Sequence, residues 1–219
     1  HIPGAVRVDY KTMFTAENLA ALPTDQPIVV YCYTGQTSSQ VVSALNMLGY
    51  DASSLLFGFC SWNSDPNAGS RCFDEETMGQ DYPTTTDPTA VAMIAYPPAV
   101  PLADTIQAAA DAYFGGGTKN INAADLFDNL NDGDTSNDPW IISVRSAEDY
   151  EKGHIPGAVN ENPKTMFSEG GLVSVPDNMP IVVYCYTGQT ASQVTAALNM
   201  LGYDASNLVF GMEGWTMDK

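Results

Sequence analysis

One stretch of this chain is written twice. Residues 1 to 62 align with residues 154 to 215 at a constant offset without a gap, and about 40 of the 62 positions are identical. HIPGAV opens both copies and KTMF follows, then PIVVYCYTGQT and ALNMLGYDAS. Each copy closes on a Phe-Gly pair with a Trp four residues beyond the Gly (Gly58 and Trp62, Gly211 and Trp215). A repeat of this length means a duplicated domain rather than a solenoid. Within it, the β-branched runs Ile28-Val29-Val30 and Ile181-Val182-Val183 predict short buried strands. After Thr37 and Thr190 the apolar spacing turns helical: Val41, Leu45 and Leu48 share one face, as do Val194, Leu198 and Leu201, and Gly49 and Gly202 mark the stops. A further strand is expected at Leu55-Leu56-Phe57 and at Leu208-Val209-Phe210. Strand, helix and strand with buried strands is the βαβ signature, so the expected class is α/β, with doubly wound parallel sheets covered by helices on both faces.

The expected division is a first domain over 1–62, a linker over 63–117 and a second domain over 118–219. Residues 63 to 100 are rich in Pro, Thr, Asp and Gly and read as loop, with a short strand expected over 90–95. Leu102, Ile106, Ala109, Ala110 and Tyr113 predict an amphipathic helix over 102–113, stopped by Gly115-Gly116-Gly117. A helix over Ala123 to Leu130, with Asn122 as N-cap, and a strand over Trp140 to Val144 then lead into the second HIPGAV. No such helix and strand precede the first. The expectation is therefore that the first domain lacks its opening helix and strand in this sequence, and that a cleaved or omitted segment, or a second chain, completes it.

Twenty-six acidic residues against eight Lys plus Arg give a formal charge of -18. That balance argues against nucleic acid and anionic membrane surfaces as partners. It suits an extracytoplasmic setting, periplasmic or secreted, or otherwise the cytoplasm of a salt-adapted cell. No apolar run approaches the roughly 20 residues a membrane-spanning helix needs. The four cysteines contain no C-x-x-C, and His1 and His154 lie far from them in sequence, so no metal site and no cofactor are expected. Cys60 and Cys72 flank a short loop rich in polar residues, which a disulfide could close or which could carry two free thiols.

Cys32 and Cys185 are the candidates for chemistry, because each sits where a strand hands over to a helix. At that edge loop N–H groups and the positive end of the helix converge, which favours thiolate over thiol and offers donors to an anion. The candidate binding loops are Tyr33, Thr34, Gly35, Gln36, Thr37 and Ser38 in the first copy, and Tyr186, Thr187, Gly188, Gln189, Thr190 and Ala191 in the second. A phosphatase loop of the C-x5-R type needs Arg where this chain has Ser38 or Ala191, so nothing here could clamp a phosphate bidentately. The histidines of HIPGAV read as parts of a turn rather than as bases. Arg145 with Glu148 reads as a structural ion pair.

Ile141-Ile142-Ser143-Val144-Arg145 with Glu148-Asp149-Tyr150, then Gly153-His154-Ile155-Pro156-Gly157-Ala158, the Cys185 to Thr190 loop, and Gly211 through Gly214-Trp215 together resemble the rhodanese family. The resemblance covers nearly all of the second half and residues 1 to 62 of the first. It implies doubly wound domains whose loop cysteine takes a sulfane sulfur from a donor, becomes a persulfide, and passes the sulfur to an acceptor. Cys32 and Cys185 would hold that role. The implied partners are a small sulfur-donor anion such as thiosulfate or polysulfide, or a persulfide, and a thiol, cyanide-like or protein acceptor. Two departures stand out. Neither loop has the basic residues of thiosulfate-specific members, and Ser143 replaces the usual Asp. The alternative readings are a non-catalytic binding or assembly module that carries persulfide, and a thiol redox sensor. Of the two copies, the second is expected to be at least as active.

Overall fold

In the computed structural model, which describes residues 1–65, 72–89 and 95–217, each copy of the repeat folds as strand, helix and strand around its cysteine. The first copy holds α1 (Ala16–Ala20), β1 (Ile28–Val30), α2 (Gln36–Met47), β2 (Ala52–Ser54) and α3 (Phe59–Trp62). β1 and β2 pair in parallel, with Ile28 opposite Ala52. The connecting stretch contributes α4 (Glu75–Met78) and α5 (Ile106–Gly116). The second copy and its lead-in form β3 (Asn120–Ile121), α6 (Ala123–Leu130), β4 (Trp140–Ser143), α7 (Ala147–Lys152), β5 (Val159–Asn160), β6 (Ile181–Tyr184), α8 (Gln189–Met200), β7 (Ala205–Leu208) and α9 (Gly211–Trp215). Their five strands lie in the order β3-β7-β6-β4-β5, all parallel.

Alternation along β6 shows how the second sheet is buried on both faces. Ile181 and Val183 pack with Val194 and Leu198 of α8, while Val182 and Tyr184 pack with Leu126 of α6 and Trp215 of α9. A parallel strand covered on both sides in this way needs an unbroken apolar run, which I-V-V-Y supplies.

The second strand of each copy falls earlier than expected. It runs over Ala52–Ser54 and Ala205–Leu208, so Leu208 alone of the expected residues lies in it; Leu55 N and Val209 N still donate to Val30 O and Ile121 O, and the chain turns away from the sheet beyond them. Phe57 and Phe210 have φ of 57° and 61°, in the left-handed region, so neither can continue a strand. The helix expected from Leu102 starts instead at Ile106, because the Thr105 side chain accepts from Ala108 N–H and caps it there. It also runs through Gly115 and Gly116 before ending at Gly117. α6 occupies the expected residues, capped by Asn122. Of the short strand expected over 90–95, residues 90–94 lie outside the described residues.

The connecting stretch packs against both copies. Ala109, Ala110, Tyr113 and Phe114 of α5 are buried in the first copy's core, where Phe114 stacks on Phe14 at 4.6 Å. Residues 72–89 form a strap across the second copy. Tyr82 stacks on Phe127 at 4.0 Å and meets the edge of Trp215 at 5.1 Å. Trp215 Nε1 donates to Pro83 O, and Thr85 pairs with His154 in an isolated antiparallel bridge. The buried His154 ring stacks on Tyr150 at 3.8 Å. A disulfide joins Cys60 to Cys72, Cα to Cα 5.5 Å, at the start of the strap. The copies meet along α2 and α8, where Ser43 Oγ donates to Gln193 O and where Ala196 and Met200 of α8 enter the first copy's core.

Candidate active site: the paired cysteine loops

Both cysteines lie at the carboxyl end of a strand, β1 of the two-stranded sheet and the central β6 of the five-stranded one. Cys185 directly follows β6 and Cys32 stands two residues beyond β1, with α2 and α8 beginning four residues after each. The handover requires Gly35 and Gly188, the N-caps, which have φ of 86° and 82°. A Cβ at Gly35 would lie 2.6 Å from Gln189 Oε1, and one at Gly188 would lie 2.7 Å from Gln36 Oε1. Each loop is thus packed against a side chain of the other copy.

The first loop presents donors to its sulfur. Ser38 N and Ser38 Oγ both lie 3.5 Å from Cys32 Sγ, at the first turn of α2. Ser38 Oγ is also 2.8 Å from Ser54 Oγ on β2. When Ser54 donates to Ser38, the Ser38 proton is shared between Gly35 O at 3.1 Å and the sulfur at 3.5 Å. This pair of donors would solvate a sulfur anion, and Cys32 is half-buried rather than sealed.

The second loop has the same backbone but different neighbours. Ala191 takes the place of Ser38 and Asn207 that of Ser54, and Cys185 is only 3% exposed. Its wall is more polar. Tyr186 donates through its hydroxyl to Asp149 Oδ2, and this bond, with help from Ser146 and Lys152, holds the Asp149 carboxyl well below the usual carboxylate range. The buried Arg145 lies 5.5 Å from the centroid of Tyr184 and 5.7 Å from that of Tyr186. The Arg145–Glu148 ion pair expected from the sequence does not form. Arg145 donates to Gly153 O, and Glu148 pairs with Lys152 at 3.0 Å, because the i,i+4 spacing on α7 brings those two side chains together. Ser143, at the end of β4, is fully buried and accepts from Arg145 N at 3.5 Å.

The loop residues divide by direction. Tyr33 and Tyr186 are exposed, Thr37 is half-buried and Thr190 is exposed. Thr34 and Thr187 line a single cavity between the copies, walled by Phe57, Phe210, Cys60 and Glu213. Gln36 and Gln189 are buried and reach across to the opposite copy, and Gln189 also donates through Nε2 to Thr187 Oγ1 of its own loop at 3.4 Å. Sequence reasoning did not find Ser54 or these cross-copy contacts. The signal available was the set of positions where the two copies differ, Ser38 against Ala191 and Ser54 against Asn207. Among the described residues no group of three His, Cys, Asp or Glu side chains could hold a metal ion, and no helix is long and apolar enough to cross a membrane.

Among curated proteins, the probable adenylyltransferase/sulfurtransferase MoeZ of Mycobacterium tuberculosis is 36% identical over 77 residues, which is 34% of this chain and 19% of the relative. The chain therefore matches only a small part of that relative's length. Among solved structures, a rhodanese-like domain protein from Staphylococcus aureus is 28% identical and covers 45% of this chain and 91% of its own, with a TM-score of 0.41. A rhodanese-like domain from Anabaena sp. is 26% identical and covers 44% of this chain and 72% of its own, with a TM-score of 0.40. The model of the rhodanese-like domain matches residues 1–65 and again 122–218, and with both copies accounted for the chain belongs to the rhodanese-like family.

Proposed function

We propose that this protein is a sulfurtransferase that carries a sulfane sulfur as a cysteine persulfide, with Cys32 as the principal site. The observation that carries this reading is the accessible Cys32 sulfur with Ser38 N and Ser38 Oγ directed at it. The Cys32 thiolate attacks the sulfane sulfur of the donor, and a new S–S bond forms as the donor's own bond to that sulfur breaks. With thiosulfate the leaving group is sulfite; with a polysulfide or persulfide it is the shortened polysulfide or the thiolate. A thiol or cyanide then attacks the outer sulfur and returns Cys32 to its thiolate. Because neither loop carries a basic side chain, the donor is held by loop N–H groups and hydroxyls. This favours polysulfides and persulfides over thiosulfate.

The burial of Cys185 supports a division of labour in which the second copy braces the first and transfers sulfur more slowly. Intact mass spectrometry after incubation with thiosulfate, polysulfide or a low-molecular-weight persulfide tests both points. Cys32 should gain one sulfur that cyanide removes, with Cys185 gaining less. If no donor adds sulfur to either cysteine, the chain is a binding module instead.

A further inference from the structure

The two cysteine loops are completed crosswise. Gln189 Oε1, from the second copy, accepts from Phe57 N–H of the first at 3.1 Å. The equivalent Gln36 Oε1, from the first copy, lies 3.4 Å from Phe210 N of the second and accepts from Asn207 Nδ2 at 2.9 Å. Phe57 and Phe210 are the non-glycine residues with positive φ among the described residues. That backbone persists only where its surroundings hold it. Two residues beyond each Phe, the chain bonds to the cysteine itself: Phe59 N donates to Cys32 O at 2.8 Å and Met212 N to Cys185 O at 2.9 Å. At the residue between, a Cβ on Gly58 or Gly211 would sit 2.4 Å from the same cysteine carbonyl. The left-handed Phe therefore sets a close approach to the cysteine, and the anchor for that Phe comes from the opposite copy.

We propose that Gln36 and Gln189 are crossed positioning residues: Gln189 fixes the loop of Cys32, and Gln36 fixes the loop of Cys185. This extends the sulfur-transfer reading, since it names what holds each sulfur in place, yet it can be read without any transfer taking place. The test compares Gln36→Met and Gln189→Met, which keep length and volume and remove the Oε1 acceptor; Gln189→Met also removes the long 3.4 Å bond to Thr187 Oγ1, the weaker of the two that Gln189 makes. Iodoacetamide alkylation of each cysteine is followed by peptide mass spectrometry. Gln189→Met should change the alkylation rate of Cys32 by about threefold or more while leaving Cys185 near its original rate, and Gln36→Met should do the reverse, as expected for losing one hydrogen bond to a loop. A change confined to the cysteine of the same copy, or an equal change at both, overturns the proposal.

Should a variant fail to fold, amide hydrogen exchange in the unaltered protein decides. Protection of the Phe57 and Phe210 N–H groups is expected, and exchange of both at the rate of a free peptide overturns the proposal. Failure of sulfur transfer with the crossed alkylation pattern intact would count against the proposed function alone.

Discussion

Near-identical sequence is treated very differently in the two copies. Val182 on β6 is 3% exposed and its equivalent Val29 on β1 is 64% exposed; Trp215 is 1% exposed and Trp62 is 56% exposed. The difference lies in the neighbours. β6 is flanked by β4 and β7, and Trp215 is covered by Tyr82 and Phe127, whereas among the described residues β1 pairs with β2. The same apolar letters are core in one place and surface in the other. Burial belongs to the assembly of elements rather than to the strand that carries the residues. The cysteines run the other way: the copy with the more open sheet has the more accessible sulfur and the better donors around it.

That contrast can be broken at several points. The largest effect is expected from Cys32→Ser, which should remove most of the persulfide detected by intact mass, while Cys185→Ser should leave most of it. Equal losses would erase the functional asymmetry. Next comes stability. Trp215→Ala should destabilise by about 3–5 kcal/mol in urea unfolding, as for a large buried aromatic, while Trp62→Ala should stay within about 0.5 kcal/mol.

A pH effect follows from Tyr113, whose hydroxyl donates to Gln40 in the first copy's core and whose pKa burial pushes up to about 12. The unfolded phenol ionises near its ordinary value of about 10, so the unfolded chain releases this proton first as pH rises. Stability should therefore fall from about pH 10 to about pH 12, by at most ~2–3 kcal/mol, and Tyr113→Phe should flatten that part of the profile in urea melts. The smallest effect is local. Ser38→Ala gives the first loop the residue of the second, and should slow iodoacetamide alkylation of Cys32 several-fold, within the range of about 0.5–1.5 kcal/mol for one hydrogen bond.

Much of the architecture was legible because it is local. I-V-V before the cysteine and the 3.6-residue spacing after it locate β1, α2, β6 and α8, and Asn122 marks the start of α6. The second strand of each copy was displaced because Ala52-Ser53-Ser54 is neither apolar nor alternating. Pairing with β1 makes it a strand, and the apolar run beyond it is spent on a left-handed turn. Arg145 and Glu148 lie close in sequence, but Lys152 is one helical turn from Glu148 and takes the ion pair, while the guanidinium lies against two tyrosine rings. The cysteine loops could be found, but what holds them could not. Gln36 meets Phe210 across 174 residues, and periodicity carries no information at that range.

The path of the connection decides what kind of object the chain is. It leaves the first copy at the disulfide, lies over Trp215 of the second, returns to bury Phe114 beside Phe14, and then crosses back to begin β3. The copies are interlaced rather than strung together, so cutting out either one uncovers surface that the rest of the chain buries. Excising the second copy from its first strand onward would strip Tyr82 from Trp215 and α2 from α8, and excising the first at Trp62 would take α5 out of its core. Evolution could duplicate the unit, but in this chain the duplicates share their packing, and exchange of one copy between relatives would have to carry the weave with it.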